Sequence, residues 1–283
     1  MEFISNMNCA LDYIEAHLTG EIHYKELAKA AQCSTYTFQR FFTYISGISL
    51  SEYIRRRRLS SAALDLQSSD IKIIDLAVKY GYESAISFSR AFQALQGVTP
   101  TKARSGHILK SYPRLSFNLS IKGNSPLDYQ IISKAKFKMV GIKEIVSKID
   151  DKNLHRIPEL WRSHYMEKME LAKLSKELKQ YVYGVTMNFT DNSFDYYIAT
   201  MTDEITKGYM KEIKIPKATW AVFKCIGSLP DAQYNMWRRI FTEWLPFSGY
   251  TLLEIPEIEW YSDGDIYSST YESEIWLPVQ KDY

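Results

Sequence analysis

Gln39 and Arg40 lie in a segment whose aromatic and aliphatic residues, Phe38, Phe41, Phe42 and Ile45, recur at helical spacing. At about 100° per residue, that row takes one helix face and leaves Tyr36, Gln39, Arg40 and Thr43 on the other. Fifty positions later Phe88, Ala91, Phe92 and Leu95 take an inner face, leaving Ile86, Ser89, Arg90 and Gln93 outside. Arg and Gln can each grip a guanine or adenine edge through two hydrogen bonds, so two such faces suit reading of a DNA major groove. One copy alone would equally be a solvated face of a helical bundle. Two copies, each with Arg at the same place, favour base reading. A second group of residues points elsewhere: Glu259 stands beside Trp260 and Tyr261 in a half rich in Trp161, Tyr165, Tyr183, Tyr197, Trp220 and Trp237. Aromatic walls with one carboxylate suit a flat, apolar, cationic ligand through stacking and cation–π attraction. On composition alone the same residues also describe a Trp-rich core with a surface carboxylate.

The run Arg55-Arg56-Arg57-Arg58 points around a whole helix turn, so its members cannot all meet one surface. One or two, with Arg55 and Arg57 as the candidates, are expected to touch phosphate or acidic neighbours, and the rest to be solvated.

Composition narrows the classes. With 283 residues, 46% hydrophobic and 24% charged, the chain has the mass of two ordinary globular domains. The charge balance of residues 1–110, 13 Lys and Arg against 10 Asp and Glu, is too slight to argue nucleic-acid binding by itself. Cys9, Cys33 and Cys225 are odd in number and far apart, which argues against a disulfide framework or a structural zinc site. Neither a metal nor a cofactor is expected. The sequence has no long apolar run and no signal-peptide pattern, so no membrane association and a cytoplasmic location are expected. Enzyme signatures such as GxSxG, a phosphate-binding loop or HExxH are missing.

These residues need elements to hold them. The first 105 residues read as helices: a short one opening at Leu27-Ala28, a tight turn at Gln32-Cys33-Ser34 with Ser34 as N-cap, then a helix from Thr35 to Ile45 stopped by Gly47. Leu76-Ala77 repeats Leu27-Ala28 at an offset of 49, and Phe88, Arg90, Phe92 and Gly97 repeat their counterparts at 50, as a one-residue insertion in the turn would produce. Leu50 to Gln67 reads as a connecting helix on the order of 27 Å long. Two helix-turn-helix units result. Residues 108–127, with Pro113, Gly123 and Pro126, read as a linker between domains at 1–107 and 128–283. Beyond it, strands are expected at 138–146, 181–189, 194–201, 211–215, 220–225, 258–261 and 273–279, with helices at 158–178 and 230–244. The order suggests an α+β domain of two pseudo-repeated βαββ units with a groove between them. Alternation in β conformation puts Glu257, Glu259 and Tyr261 on one face and Ile258 and Trp260 on the other.

From Ile73, IIDLAVKYGYESAISFSRAFQALQGVTPTKAR resembles the second helix-turn-helix of arabinose-regulator (AraC) type transcription factors. From His23, HYKELAKAAQCSTYTFQRFFTYISGISLSEYIRRRRL resembles the first. The stress and multidrug-resistance activators that bind DNA as monomers are the subgroup most similar. The resemblance implies that both recognition helices enter successive major-groove segments. It places base-contacting positions at Tyr36, Gln39 and Arg40, and at Ala85, Ile86, Ser87 and Arg90. Ala85 and Ile86 depart from the polar residues of better-known members, so thymine methyl contacts are expected there.

The second half is similar to the gyrase-inhibitor-like effector-binding domain, through IPELWRSHY from Ile157, IPKATWAVFKCIG from Ile215, EWLPFSGY from Glu243, PEIEWY from Pro256 and EIWLPV from Glu274. That resemblance implies a pocket between two halves with an acid at its base, carried here onto Glu259, with Glu254 and Glu274 left open. Trp161, Tyr165, Tyr183, Tyr197, Trp220 and Tyr261 are the expected walls. The leading expectation is a transcriptional regulator, an activator, that binds double-stranded DNA, a small aromatic or cationic effector and RNA polymerase, and is not an enzyme. The alternatives are a hydrolase or a drug- or toxin-sequestering protein tethered to DNA. A third reading, an alkylation-repair regulator, would need the cysteine cluster that this sequence lacks.

Overall fold

A computed structural model describes residues 2–118, 126–147, 153–177, 181–190, 193–205 and 207–281. The chain divides into two compact units, with the main division at residues 121 and 122.

The first unit is helical: α1 (Glu2–Ala16), α2 (Tyr24–Ala31), α3 (Thr35–Ser46), α4 (Leu50–Ser68), α5 (Ile73–Lys79), α6 (Ala85–Gln96) and α7 (Pro100–Arg104). Local chemistry sets the boundaries. Gln32 closes α2 in the left-handed conformation at φ 50°, and Gly81, 49 positions later, does so after α5 at φ 75°. Ser34 accepts a hydrogen bond from the Thr37 amide at 3.1 Å, and Ser84 forms a reciprocal cap with Ser87. Gly47 and Gly97 end α3 and α6 at φ 73° and 78°, where a side chain would be strained. Ser49 and Thr99 then cap α4 and α7. The repeat is thus a repeat of caps and stops as well as of apolar faces. Phe38, Phe41 and Phe42 of α3 and Met7, Leu11 and Ile14 of α1, a helix not singled out above, are all buried, and Phe3 of α1 meets Phe41 edge-on at 4.9 Å. In the second half of the unit Phe88, Phe92, Leu76 and Tyr80 form one core with Leu59 and Leu66 of α4.

Residues 110–117, expected to lie in a linker, are fastened to this unit. Gln96 exchanges two hydrogen bonds with the backbone of Lys110. The Tyr112 amide donates to Ser60, and Asn8 exchanges two bonds with the backbone of Phe117, each 2.8 Å. Phe117 is buried and meets Phe41 edge-on at 5.2 Å. This extended segment satisfies its backbone with side chains of α1, α4 and α6, and composition alone does not reveal such pairing.

The second unit holds β1 (Tyr129–Lys134), β2 (Phe137–Ser147), α8 (Asn153–Ser163), α9 (Tyr165–Lys173), β3 (Tyr183–Met187), β4 (Ser193–Thr200), β5 (Met210–Ile215), β6 (Ala218–Ile226), α10 (Asp231–Arg239), β7 (Tyr250–Leu252), β8 (Glu257–Tyr261) and β9 (Glu272–Lys281). The helix expected at 158–178 is two helices, because His164 leaves helical geometry at ψ 30°. The one expected at 230–244 passes from α10 into a wider π turn at Ile240–Trp244. Neither β1 nor β7 was expected.

The strands form one antiparallel sheet in the order β1-β6-β9-β8-β3-β4-β2-β5, with β7 beside β9. Reading outward from the central β3–β8 pair, β4 matches β9 and β2 matches β6. This is the topology of two βαββ halves meeting at their centre. Helices α8 and α9 cover β2 and β4, and α10 covers β6 and β9, on one face. The other face buries Tyr183, Val185, Tyr197, Trp220, Val222, Ile258 and Trp276 together.

Candidate functional site

In the first unit the stripe Tyr36-Gln39-Arg40-Thr43 lies opposite the Phe38–Phe41–Phe42 face, as helical phase requires. Its members differ in exposure. Thr43 is open, Gln39 and Arg40 are half-buried, and Tyr36, expected on an open face, is buried at 9% exposure. The Thr43 hydroxyl donates to the Gln39 carbonyl one turn back. On α6, Ile86 is 67% exposed and Arg90 is exposed, while Ala85 is half-buried. Ser87 is also exposed, but its hydroxyl serves the Ser84 cap, accepting from the Ser84 amide and donating to its carbonyl. A base contact from Ser87 would cost that cap.

The arginine run corrects an expectation. Arg57, a phosphate candidate, is largely buried and holds Glu15 through its Nε and Nη2 at 2.9 and 2.7 Å, with Nη1 on the Tyr112 carbonyl at 2.6 Å. Tyr53 adds a third donor to Glu15 at 2.7 Å. Arg55 pairs with Glu52 at 2.6 Å, as does Arg56 at 2.5 Å. Arg58 donates to the carbonyls of Leu18 and Gly20. Because four consecutive side chains sweep the whole circumference of α4, they are taken up by different neighbours inside the unit, Arg55 and Arg56 sharing Glu52. Arg57 is structural and Arg55 is only partly available.

In the second unit Glu259 sits on the helix-covered face at the middle of the sheet, paired across β3–β8 with Gly184, which also pairs with Ile198 of β4. Trp237 of α10 donates its indole N–H to Glu259 Oε1 at 3.1 Å, and Tyr261 donates to Oε2 at 2.8 Å. Tyr196 of β4 reaches the same oxygen at 3.5 Å and accepts from the Trp161 indole at 2.8 Å. Trp161 also meets Tyr261 edge-on at 4.8 Å. Burial first, and the Glu259 charge second, raise both phenols well above their usual range. They therefore stay protonated and act as donors. The result is a carboxylate walled by two indoles and two phenols drawn from both halves of the domain. Such a group can take a cation with an aromatic body.

Of the expected walls, Trp161 and Tyr261 are here. Tyr183, Tyr197 and Trp220 are not, and lie in the core on the opposite face. Tyr197 is the strand neighbour of the tyrosine that meets Glu259: alternation sends Tyr196 to one face and Tyr197 to the other, and only register reveals which. Tyr165 is exposed on α9, outside the cage, with the Lys168 ammonium 5.3 Å from its ring. Glu254 is exposed between β7 and β8. Glu274 is on the opposite face, accepting from Trp276 at 2.7 Å. Tyr196, Trp237 and Gly184 complete the site. A Cβ at Gly184 would fall on the Tyr196 hydroxyl and come within 3.0 Å of Glu259 Oε2. Among the described residues no group of three metal-ligating side chains converges, and no helix is long and apolar enough to cross a membrane.

Residues 130–279 match the family of integron-associated effector binding proteins, and residues 27–106 match a helix-turn-helix domain family. The transcriptional activator AarP of Providencia stuartii is 38% identical over 94 residues, which are 33% of this chain and 70% of that protein. The regulatory protein SoxS of Salmonella typhimurium is 34% identical, covering 33% of this chain and 88% of its own length. Among solved structures, SAV2435 bound to tetraphenylphosphonium is 25% identical over 54% of this chain and 94% of its own, with a TM-score of 0.48.

Proposed function

The chain belongs to the AraC-type helix-turn-helix regulators through its first unit and to the integron-associated effector-binding family through its second, and from that premise we propose that an organic cation seated on Glu259 is the signal it transduces. It is a DNA-binding transcriptional regulator with an effector-binding domain. The observation that carries the ligand class is the Glu259 carboxylate, set among Trp161, Tyr196, Trp237 and Tyr261. A half-buried carboxylate favours a partner with positive charge, and indole faces favour a flat or aromatic one.

We read Arg40 and Arg90, with Gln39 and Ile86 beside them, as the base-contacting residues of two recognition helices. The same reading makes the protein an activator that engages RNA polymerase. It also makes the effector domain a sensor, not a catalyst. A ligand can alter DNA affinity only by as much as its own affinity differs between two states of the protein.

Titration of the full-length protein with tetraphenylphosphonium, followed by tryptophan fluorescence and by melting temperature, tests the ligand class. Binding should quench Trp161 and Trp237 and raise Tm. Glu259→Gln keeps the shape and removes the charge, so affinity for the cation should fall roughly tenfold or more, about 1.4 kcal/mol. Affinity for a neutral analogue such as tetraphenylmethane should change little. Equal losses for both would refute the cation reading. Turnover of electrophilic esters would instead favour a hydrolase.

A further inference from the structure

Beside Glu259 the helix-covered face carries two polar side chains that the cage does not satisfy. Gln233 of α10 is 8% exposed, and its Nε2 meets no hydrogen-bond partner among the described residues. Its Oε1 lies 3.3 Å from the Tyr261 hydroxyl, but that single proton is directed at Glu259 Oε2 at 2.8 Å, so the amide receives at most a share of it. Ser273 of β9 is fully buried, and apart from the weak thiol of Cys225 beside it, its Oγ has no hydrogen-bond partner among the described residues. Register puts it on the same face: Ser273 is the cross-strand partner of Tyr261, within about 5.5 Å between Cβ atoms. Its neighbour on β6 is Cys225. Burial first, and the Glu259 charge next, push that thiol up to about 12, so it remains a weakly bonding S–H.

Gln233 and Ser273 therefore flank Tyr261 from the helix and from the sheet, one as an amide and one as a hydroxyl. Buried polar groups are almost always paired, and unpaired ones need a reason. Here both stand beside the carboxylate proposed to hold the effector.

We propose that Gln233 and Ser273 form a polar subsite next to Glu259 that selects aromatic cations carrying a neutral hydrogen-bonding substituent, such as a hydroxyl or carboxamide, over plain hydrocarbon cations. This inference rests on Glu259 being the effector site. The charge supplies attraction common to all cations. The subsite supplies discrimination, because a site that holds buried polar groups penalises an analogue that leaves them unpaired.

A matched pair of probes tests it on the full-length protein: tetraphenylphosphonium and (3-hydroxyphenyl)triphenylphosphonium, of equal charge and nearly equal size. Calorimetry should give the hydroxylated cation a Kd at least tenfold lower. In Gln233→Leu, and separately in Ser273→Ala, that preference should shrink to within about threefold, with tetraphenylphosphonium affinity unchanged. Without ligand both variants should melt close to or above the wild-type temperature, since the groups removed have only weak partners in the folded state, a shared Tyr261 proton for Gln233 and the Cys225 thiol for Ser273. A wild-type protein that binds the two probes equally overturns the subsite while leaving the cation reading intact. So does a preference that survives both substitutions. Variants that melt lower with their preference intact show Gln233 and Ser273 to be structural, again against the subsite. If neither cation binds the wild type, the Glu259 reading itself fails and this inference goes with it.

Discussion

Gly184 and Glu259 face each other across the central β3–β8 pair, and the missing side chain at 184 is what leaves room for the Glu259 carboxylate and the Tyr196 hydroxyl above it. The backbone at Gly184 is ordinary extended strand, so the requirement is for space, not for an unusual φ. A methyl group there would displace both oxygens from the positions in which Trp237, Tyr261 and Trp161 meet them. Gly184→Ala is expected to fold, with a loss of about 1–3 kcal/mol from overpacking. It should bind tetraphenylphosphonium at least tenfold more weakly. Urea unfolding and fluorescence titration of the same preparation would separate the two effects. Unchanged affinity would place the ligand away from the β3–β8 centre.

The DNA reading is tested at the equivalent arginines. Arg40→Ala and Arg90→Ala should each cost about 1–3 kcal/mol at a cognate site and relax preference at one or two base pairs. Binding by the intact protein should weaken steeply with salt as counterions are released. An Arg90→Ala protein with full specificity in a competition assay over a randomised site would sink the two-helix reading.

Chain ends provide a third test. A fragment ending at residue 107 keeps both helix-turn-helix units but loses the strand-like segment that Asn8, Ser60 and Gln96 hold. It should be less stable than a fragment ending at residue 118, by an amount approaching that of Phe117→Ala. For a buried Phe at 6% exposure, that substitution costs about 3–5 kcal/mol. Equal melting temperatures for the two fragments would return residues 108–118 to the role of a tether.

The fourth prediction concerns pH. Burial alone would raise the Glu15 carboxyl, but hydrogen bonds from Arg57 and Tyr53 outweigh it and hold the group below its ordinary value of 4.5. A carboxyl with a depressed folded value contributes stability that is fully present above its unfolded value and lost as pH falls through the folded one. Glu15→Gln should therefore lower stability at pH 7 and flatten the acid limb of the stability curve below about pH 4.5. Arg57→Ala should destabilise the first unit yet leave the salt slope of DNA binding unchanged. A slope reduced by about one would show that Arg57 neutralises a phosphate after all.

Much of this molecule is written in local sequence. The two helix-turn-helix units follow from the fifty-residue repeat of apolar spacing, from Ser34 and Ser84 as caps, and from Gly47 and Gly97 as stops. All of these act within a few residues, so composition and periodicity suffice to find them. The same holds for the strands of the second unit other than β1 and β7, and for the alternation that sets Glu259 and Tyr261 together. Which of Tyr196 and Tyr197 joins them could not be read locally, because adjacent strand residues differ only in the face they take. That face is set by register against β3 and β8, a long-range pairing. Arg57 looked like a phosphate ligand because its partners, Glu15 and Tyr112, lie 42 and 55 residues away. Residues 110–117 looked like a linker for the same reason: the side chains that satisfy their backbone come from α1, α4 and α6. Secondary structure came largely from short-range physics, and the candidate acid from the family resemblance, which left Glu254 and Glu274 open beside Glu259. The composition of its cage, the use of the arginine run and the end of the first unit were decided by contacts that only the folded chain brings together.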